Sequence, residues 1–146
     1  MFLTTYPLKL DEKGRFFLPS KYREELGPGL VMVQGQENCL YVFTVDDFKA
    51  RTNQLLATSD TFEDVRAYRR MLGADASESV PDKQSRVTVP QPLRDYAQLD
   101  RDIIVTGAID HVEIWNPQLW EQYRADQQPK YSNIDKHLGQ PAGGAQ

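Results

Sequence analysis

Cysteine is almost missing from this chain: Cys39 is the only one in 146 residues. One thiol closes no intrachain disulfide, so core and sheet must hold the fold, as suits a reducing cytosol. Within NCLYVF, Cys39 reads as a small buried strand residue rather than a reactive thiol. Histidine is scarce too. His111 falls in a hairpin turn and His137 in the C-terminal stretch, both expected in solvent, and with one cysteine they make poor material for a metal site. There is no H-E-x-x-H, C-x-x-C, phosphate loop or G-x-S-x-G, and GPGLVM lacks the third glycine of a dinucleotide fingerprint. The adjacent pairs Glu24–Glu25 and Asp46–Asp47 sit at helix starts or faces, where helix-dipole and solvation effects account for them. Neither catalysis, a cofactor, a metal nor a small-molecule substrate is therefore expected. No stretch approaches the roughly 20 apolar residues of a membrane span. The N-terminus has no basic region followed by an apolar run, so no signal peptide is expected.

An overall positive charge is also lacking. The net charge is −4, which argues against a generally basic nucleic-acid binder. Charge is nevertheless unevenly placed. Over residues 9–23, Lys9, Lys13, Arg15, Lys21 and Arg23 stand against only Asp11 and Glu12. A local basic footprint can coexist with an acidic remainder. The apolar and charged fractions, 40% and 26%, are ordinary for a globular domain of this length.

What is present is a repeat. An offset of 71 pairs Asp11 with Asp82, Arg15 with Arg86, Pro19 with Pro90 and Arg23 with Arg94, a shared D-x3-R-x3-P-x3-R frame. With one more residue the match continues. Val31, Met32 and Val33 fall on Ile103, Ile104 and Val105, Gly35 on Gly107, Phe43 on Trp115 and Phe48 on Trp120. Apolar character is kept over about 40 residues of each half, so the chain is a tandem duplication.

Each copy reads as strand, tight turn, strand, short helix, strand, turn, strand, longer helix. Gly14 in EKG supplies a turn that takes positive φ. RFFL and RVTV are short strands, the first ended by Pro19. SKYREEL predicts two helical turns with Ser20 as N-cap and Gly27 as stop, and GLVMV with CLYVF a second hairpin. Thr44 with Asp47 resembles a capping box opening a helix to about residue 57, and Asn116-Pro117 starts its counterpart. SDTFEDVRAYRRMLG predicts an amphipathic helix capped by Asp60 and Glu63, its stripe formed by Phe62, Val65, Tyr68 and Leu72. Arg66, Arg69 and Arg70 lie off that stripe, as a solvated face. The organisation expected is a first repeat at 1–58, a connecting helix at 59–75, a second repeat at 76–126 and a flexible tail at 127–146.

With LDEKGRFFLPSKYREEL and PDKQSRVTVPQPLRDYAQL together, supported by QENCLYVF and VEIWNPQLWEQY, the sequence resembles the MraZ family over about residues 1–125. The resemblance implies bacterial DNA-binding transcriptional regulators with an α+β fold. Two tandem AbrB-like halves would intertwine about a pseudo-twofold axis into a swapped-hairpin (double-ψ-type) β-barrel with flanking helices. It further implies homo-oligomeric rings on double-stranded DNA, reading short G-containing repeats upstream of a division and cell-wall gene cluster that includes the regulator's own promoter. A cytoplasmic, nucleoid-associated repressor is the expectation. The sequence departs from the family pattern at Thr4 and at Ser85, where glycine is usual. Ser85 must take a strained φ or reshape its turn.

The motif's chemistry fits that expectation. Arginine presents a planar fork of donors to guanine O6 and N7 in the major groove. Arg15 and Arg86 follow tight turns, and Asp11 and Asp82 stand four residues earlier, where a carboxylate can aim the guanidinium. Lys9, Lys13 and Lys83 suit phosphate contacts, which give affinity without sequence choice. Arg23 and Arg94 follow the prolines on short helices, where phosphate contact and packing compete. Each Asp–Arg pair is, on residues alone, equally an intramolecular salt bridge. Two other classes stay open. One is a structural or protein-interaction ring marked by aromatics such as Tyr41, Trp115 and Trp120, which core packing would also explain. The other is an antitoxin-type AbrB-like module, disfavoured by a tail short and poor in apolar residues.

Overall fold

The computed structural model describes residues 1–141. Among the described residues, eight strands and five α-helices make an α+β molecule in which every strand pairing is antiparallel. The first half runs β1 (Thr5–Lys9), β2 (Arg15–Phe17), a 3₁₀ turn (Ser20–Tyr22), α1 (Arg23–Leu26), β3 (Leu30–Gln34), β4 (Leu40–Thr44) and α2 (Val45–Leu56). After α3 (Glu63–Ala74) the pattern returns as β5 (Ser77–Ser79), β6 (Arg86–Thr88), α4 (Gln91–Tyr96), β7 (Asp102–Gly107), β8 (Val112–Trp115) and α5 (Pro117–Gln127).

Strand order exposes the duplication. The large sheet runs β1-β7-β8-β4-β3-β5, a palindrome once each strand is replaced by its repeat counterpart, and β2 pairs with β6 in a separate ribbon. At the centre Tyr41 lies opposite Glu113, and in the ribbon Phe16 lies opposite Val87. Each of these pairs joins one repeat position to its own copy, so both ladders straddle a pseudo-twofold axis. The second hairpin of each half forms as expected, β3 with β4 and β7 with β8, but the arms of the first, β1 with β2 and β5 with β6, do not pair with each other. Instead β1 joins β7, β2 joins β6 and β5 joins β3, all across the halves. The six-stranded ladder is open, with β1 and β5 as edges, rather than a closed barrel.

Alternation explains the core. Phe16, Leu18, Val87 and Val89 point inward from the ribbon and meet Leu26, Leu30, Leu40, Leu93, Ile103 and Ile114 in one apolar cluster. Tyr22 is buried among them, its Oη 2.7 Å from the carbonyl oxygens of both Leu3 and Thr4, and burial pushes its phenol up to about 12. Val31, Val33 and Phe43 form a smaller cluster that Phe48 and Leu72 cover.

The local signals hold unevenly. Thr44 caps α2 by accepting from the Asp47 N–H, and Asn116 caps α5 by accepting from Gln118 and Leu119. Ser20 is no cap: Pro19 precedes a 3₁₀ turn closed by the Tyr22 N–H on the Pro19 carbonyl. Nor do Asp60 and Glu63 cap α3. Phe62 occupies that position without a side-chain bond, while Asp60 turns towards Arg69, 3.7 Å away. Arg66 and Arg69 are not merely solvated, because their guanidinium groups donate to the carbonyls of Asp60 and Thr61 and of Leu55, Leu56 and Thr58. They tie down the α2–α3 connection. Regular backbone continues past residue 126 through the end of α5 and a 3₁₀ stretch at Gln128–Asn133. Residues 142–146 of the expected tail lie outside the described residues.

Candidate nucleic-acid interface

Asp11 and Asp82 build identical turns. The Oδ1 of Asp11 accepts from the backbone N–H of Lys13 and of Arg15, both at 2.9 Å, and Oδ2 accepts from Arg15 Nε at 2.8 Å. In the second copy Asp82 accepts from Gln84 at 2.9 Å, the Arg86 N–H at 2.8 Å and Arg86 Nε at 2.7 Å. The backbone closes both loops: Gly14 donates to Asp11 and Ser85 to Asp82, at 3.0 and 2.8 Å. Gly14 has φ +74° and Ser85 φ +60°. Of the two options open to Ser85 it takes the strained φ, and the turn keeps its shape.

Each carboxylate is held below its usual range. The main cause is the backbone N–H of the motif arginine, opposed by desolvation and reinforced by that arginine's side chain. The geometry leaves each guanidinium braced on its Nε edge. Among the described residues, neither Arg15 nor Arg86 makes a hydrogen bond through its terminal Nη groups, which leaves those donors without a partner on side chains that are partly exposed.

Sequence spacing suggests two separate reading loops, but the pairing brings them together. Arg15 is opposite Thr88 and Phe17 opposite Arg86, with the inward pair Phe16–Val87 between them. Opposed residues share a face and neighbours alternate, so both arginines emerge on the outer face of one ribbon. Diagonal positions in such a ladder lie about 7–8 Å apart.

The remaining basic residues divide. Lys13 and Lys83 are exposed at the hairpin tips and, among the described residues, unpaired. Lys9, exposed on β1, is paired with Asp102 at 2.9 Å. Arg23 donates from Nε to the Leu18 carbonyl at 2.8 Å, strapping α1 to the end of β2. Arg94 packs over the opposite hairpin, close enough that a Cβ on Gly14 would lie 2.7 Å from its Cζ, and its Nε is buried without a partner. Both helix arginines thus make packing contacts within the chain.

His111 departs from expectation. It is 8% exposed rather than solvated, with Nδ1 2.7 Å from Asp110 and Nε2 2.9 Å from Glu113, whose other oxygen accepts from Trp115 Nε1. Its ring stacks on Phe43 at 5.2 Å and meets Tyr41 at 4.6 Å. Both of those partners come from the other half, which is why the local sequence carries no sign of it. Burial opposes the imidazolium, but the hydrogen bonds to Glu113 and Asp110 outweigh it and raise the pKa. Trp115 is buried against Trp120 and Tyr123, while Tyr41 is half-buried, so these aromatics serve packing. Cys39 is buried, and burial pushes its thiol well up. Among the described residues no helix is long and apolar enough to cross a membrane.

Fold and site together define a class: internally duplicated α+β proteins that exchange hairpin arms and present twin Asp–Arg turns on one ribbon. The profile of the family described as "MraZ protein, putative antitoxin-like" matches residues 1–71 and again 72–139, dividing the chain where the repeat does. The chain is 46% identical over 142 residues to a transcriptional regulator MraZ of Nocardioides sp., covering 97% of this chain and 99% of that protein. It is 49% identical over 138 residues to its namesake in Thermobifida fusca, covering 94% and 96%, and 48% over 136 residues to that of Salinispora arenicola, covering 93% and 96%. The chain belongs to the MraZ family.

Proposed function

We propose that the protein is a sequence-specific, double-stranded-DNA-binding transcriptional regulator, acting as a repressor on short G-containing promoter repeats. One observation carries the reading. Two arginines, each braced by an aspartate on its Nε edge, aim free Nη donors from the outer face of a single two-stranded ribbon. A β-ribbon fits the major groove, and a guanidinium end bridges guanine O6 and N7 there. Bracing keeps the fork from collapsing onto the protein and reduces the entropy lost on docking. Lys13 and Lys83 beside the ribbon serve phosphates, with Lys9 at the margin, while Arg23 and Arg94 hold the hairpins that carry the motif. Concentrating these groups on one face reconciles DNA binding with a net charge of −4.

The rest of the proposal follows from the resemblance. The exchanged arms support a swapped-hairpin, AbrB-like architecture in two repeats, 1–58 and 76–126, joined by residues 59–75 and followed by a tail at 127–146. A homo-oligomeric ring would engage several repeats at once, so that weak contacts combine through effective concentration. The targets would be the division and cell-wall cluster with the protein's own promoter, in the cytoplasm at the nucleoid, with no catalytic step.

Titration against labelled duplex carrying spaced G-containing repeats, beside a scrambled duplex and at two salt concentrations, tests this. Tighter binding to the repeats that weakens with salt but keeps its preference is the expected result. Equal weak binding to both duplexes would overturn sequence-specific regulation.

A further inference from the structure

The ribbon face carries a side chain that the paired arginines leave unused. Phe17 is 57% exposed, although Phe16 and Leu18 on either side of it are buried. A lone exposed phenylalanine is ordinary. What singles out Phe17 is its place: two residues beyond Arg15 on the same outer face and directly opposite Arg86. Arg15, Phe17, Arg86 and Thr88 therefore form one outward quartet. Under the repeat offset Arg15 maps to Arg86, but Phe17 maps to Thr88. The quartet is symmetric in its cations and asymmetric in its other two members.

We propose that Phe17 is a specificity-determining residue, packing its ring on the C5-methyl of a thymine beside a guanine and so fixing which way round the ribbon sits on its site. The inference rests on the DNA-binding role proposed above and adds a second base to it. Residues i and i+2 on one strand face stand about 7 Å apart, roughly two base steps along one DNA strand. Phe17 then falls within a base pair or two of the guanine that Arg15 meets. Thymine is the base that offers an apolar group in the major groove, and a phenyl ring suits it. Thr88 offers one methyl beside a hydroxyl that takes either a donor or an acceptor, and so covers a thymine methyl far less than a phenyl ring does. With threonine at both positions the ribbon would read a site and its reversal alike; with phenylalanine on one arm it prefers one polarity.

The test uses the full chain, as wild type and as Phe17→Ser, on three versions of one repeat-bearing duplex. These carry normal bases, uracil in place of every thymine, or 7-deazaguanine in place of every guanine. Wild type should bind the uracil duplex about fourfold more weakly for each methyl it contacts, the loss expected from leaving one methyl unburied. Phe17→Ser, with an unchanged thermal midpoint, should bind normal duplex more weakly and lose most of the preference for thymine over uracil. Both proteins should lose binding on 7-deazaguanine. Wild type that is indifferent to uracil yet sensitive to 7-deazaguanine would overturn the Phe17 role and leave the arginine reading standing. Indifference to 7-deazaguanine would overturn the arginine reading and this inference with it. A Phe17→Ser protein that still discriminates uracil as wild type does would also overturn it.

Discussion

Asp11 and Asp82 each spend one oxygen on the backbone of their own turn and the other on an arginine Nε. One carboxylate thus shapes the loop and aims the fork, so the turn and the donor direction are one design. The two copies differ at the left-handed position, where Gly14 is free of strain and Ser85, at φ +60°, is not. A non-glycine residue in this region costs about 1–2 kcal/mol, and glycine gives back about 0.5–1 kcal/mol through a looser unfolded chain. Ser85→Gly should therefore stabilise the protein by about 0.5–1 kcal/mol, read from urea unfolding, with DNA affinity unchanged. A loss of stability would show that the serine side chain itself holds the turn. Tyr22 carries a separate load. Tyr22→Phe removes the hydroxyl that faces the Leu3 and Thr4 carbonyls and should cost about 1–3 kcal/mol by the same measurement.

Where β4 meets β8, the two halves join at their central pair of strands. His111 lies at that joint with carboxylates on both ring nitrogens, an arrangement that favours the imidazolium, whose two N–H groups can donate one to each. Tyr41 and Phe43 face it from β4, and Arg51 of α2 stands over those two rings at 5.7 and 5.5 Å. Because the folded-state pKa is raised, this contribution is complete below the unfolded value near 6.5 and is lost as pH rises through the folded value. Thermal midpoints should fall as pH rises through that window, and His111→Gln should flatten this part of the profile. A wild-type profile with no such fall would contradict the doubly bonded imidazolium. The same element shows where sequence reasoning stops. Thr44 and Asn116 were legible as caps because a cap is settled within three residues. The strands of both hairpins were legible from alternation. The pairing of β2 with β6 was not, since a tight turn suggests adjacent arms, and exchange was implied only by the family resemblance. The burial of His111 was invisible because Tyr41 and Phe43 reach it from the other half of the chain.

Across the whole molecule, one pseudo-twofold axis converts a sequence repeat into a single face that carries both motif arginines. Register across that axis sets both Asp–Arg turns beside each other, although 71 residues separate them in the chain. The motif residues Asp11, Arg15, Asp82 and Arg86 were legible in the sequence; their convergence on one face, with Phe17 between them, required the ladder. Arg23 and Arg94 were legible as a repeated pair, but which of them straps a strand and which covers a glycine depends on packing. If the ribbon reads DNA as proposed, each of its arginines should matter to binding. The most direct test compares wild type, Arg15→Ala and Arg86→Ala on repeat-bearing and scrambled duplexes, with thermal midpoint and oligomer size recorded alongside. Each substitution should cost about 1–3 kcal/mol of specific binding for every guanine the missing arginine would have bridged, with fold and assembly intact. If either variant instead unfolds or dissociates while its remaining folded fraction keeps full specificity, the Asp–Arg pairs are structural salt bridges and the DNA-reading account is wrong.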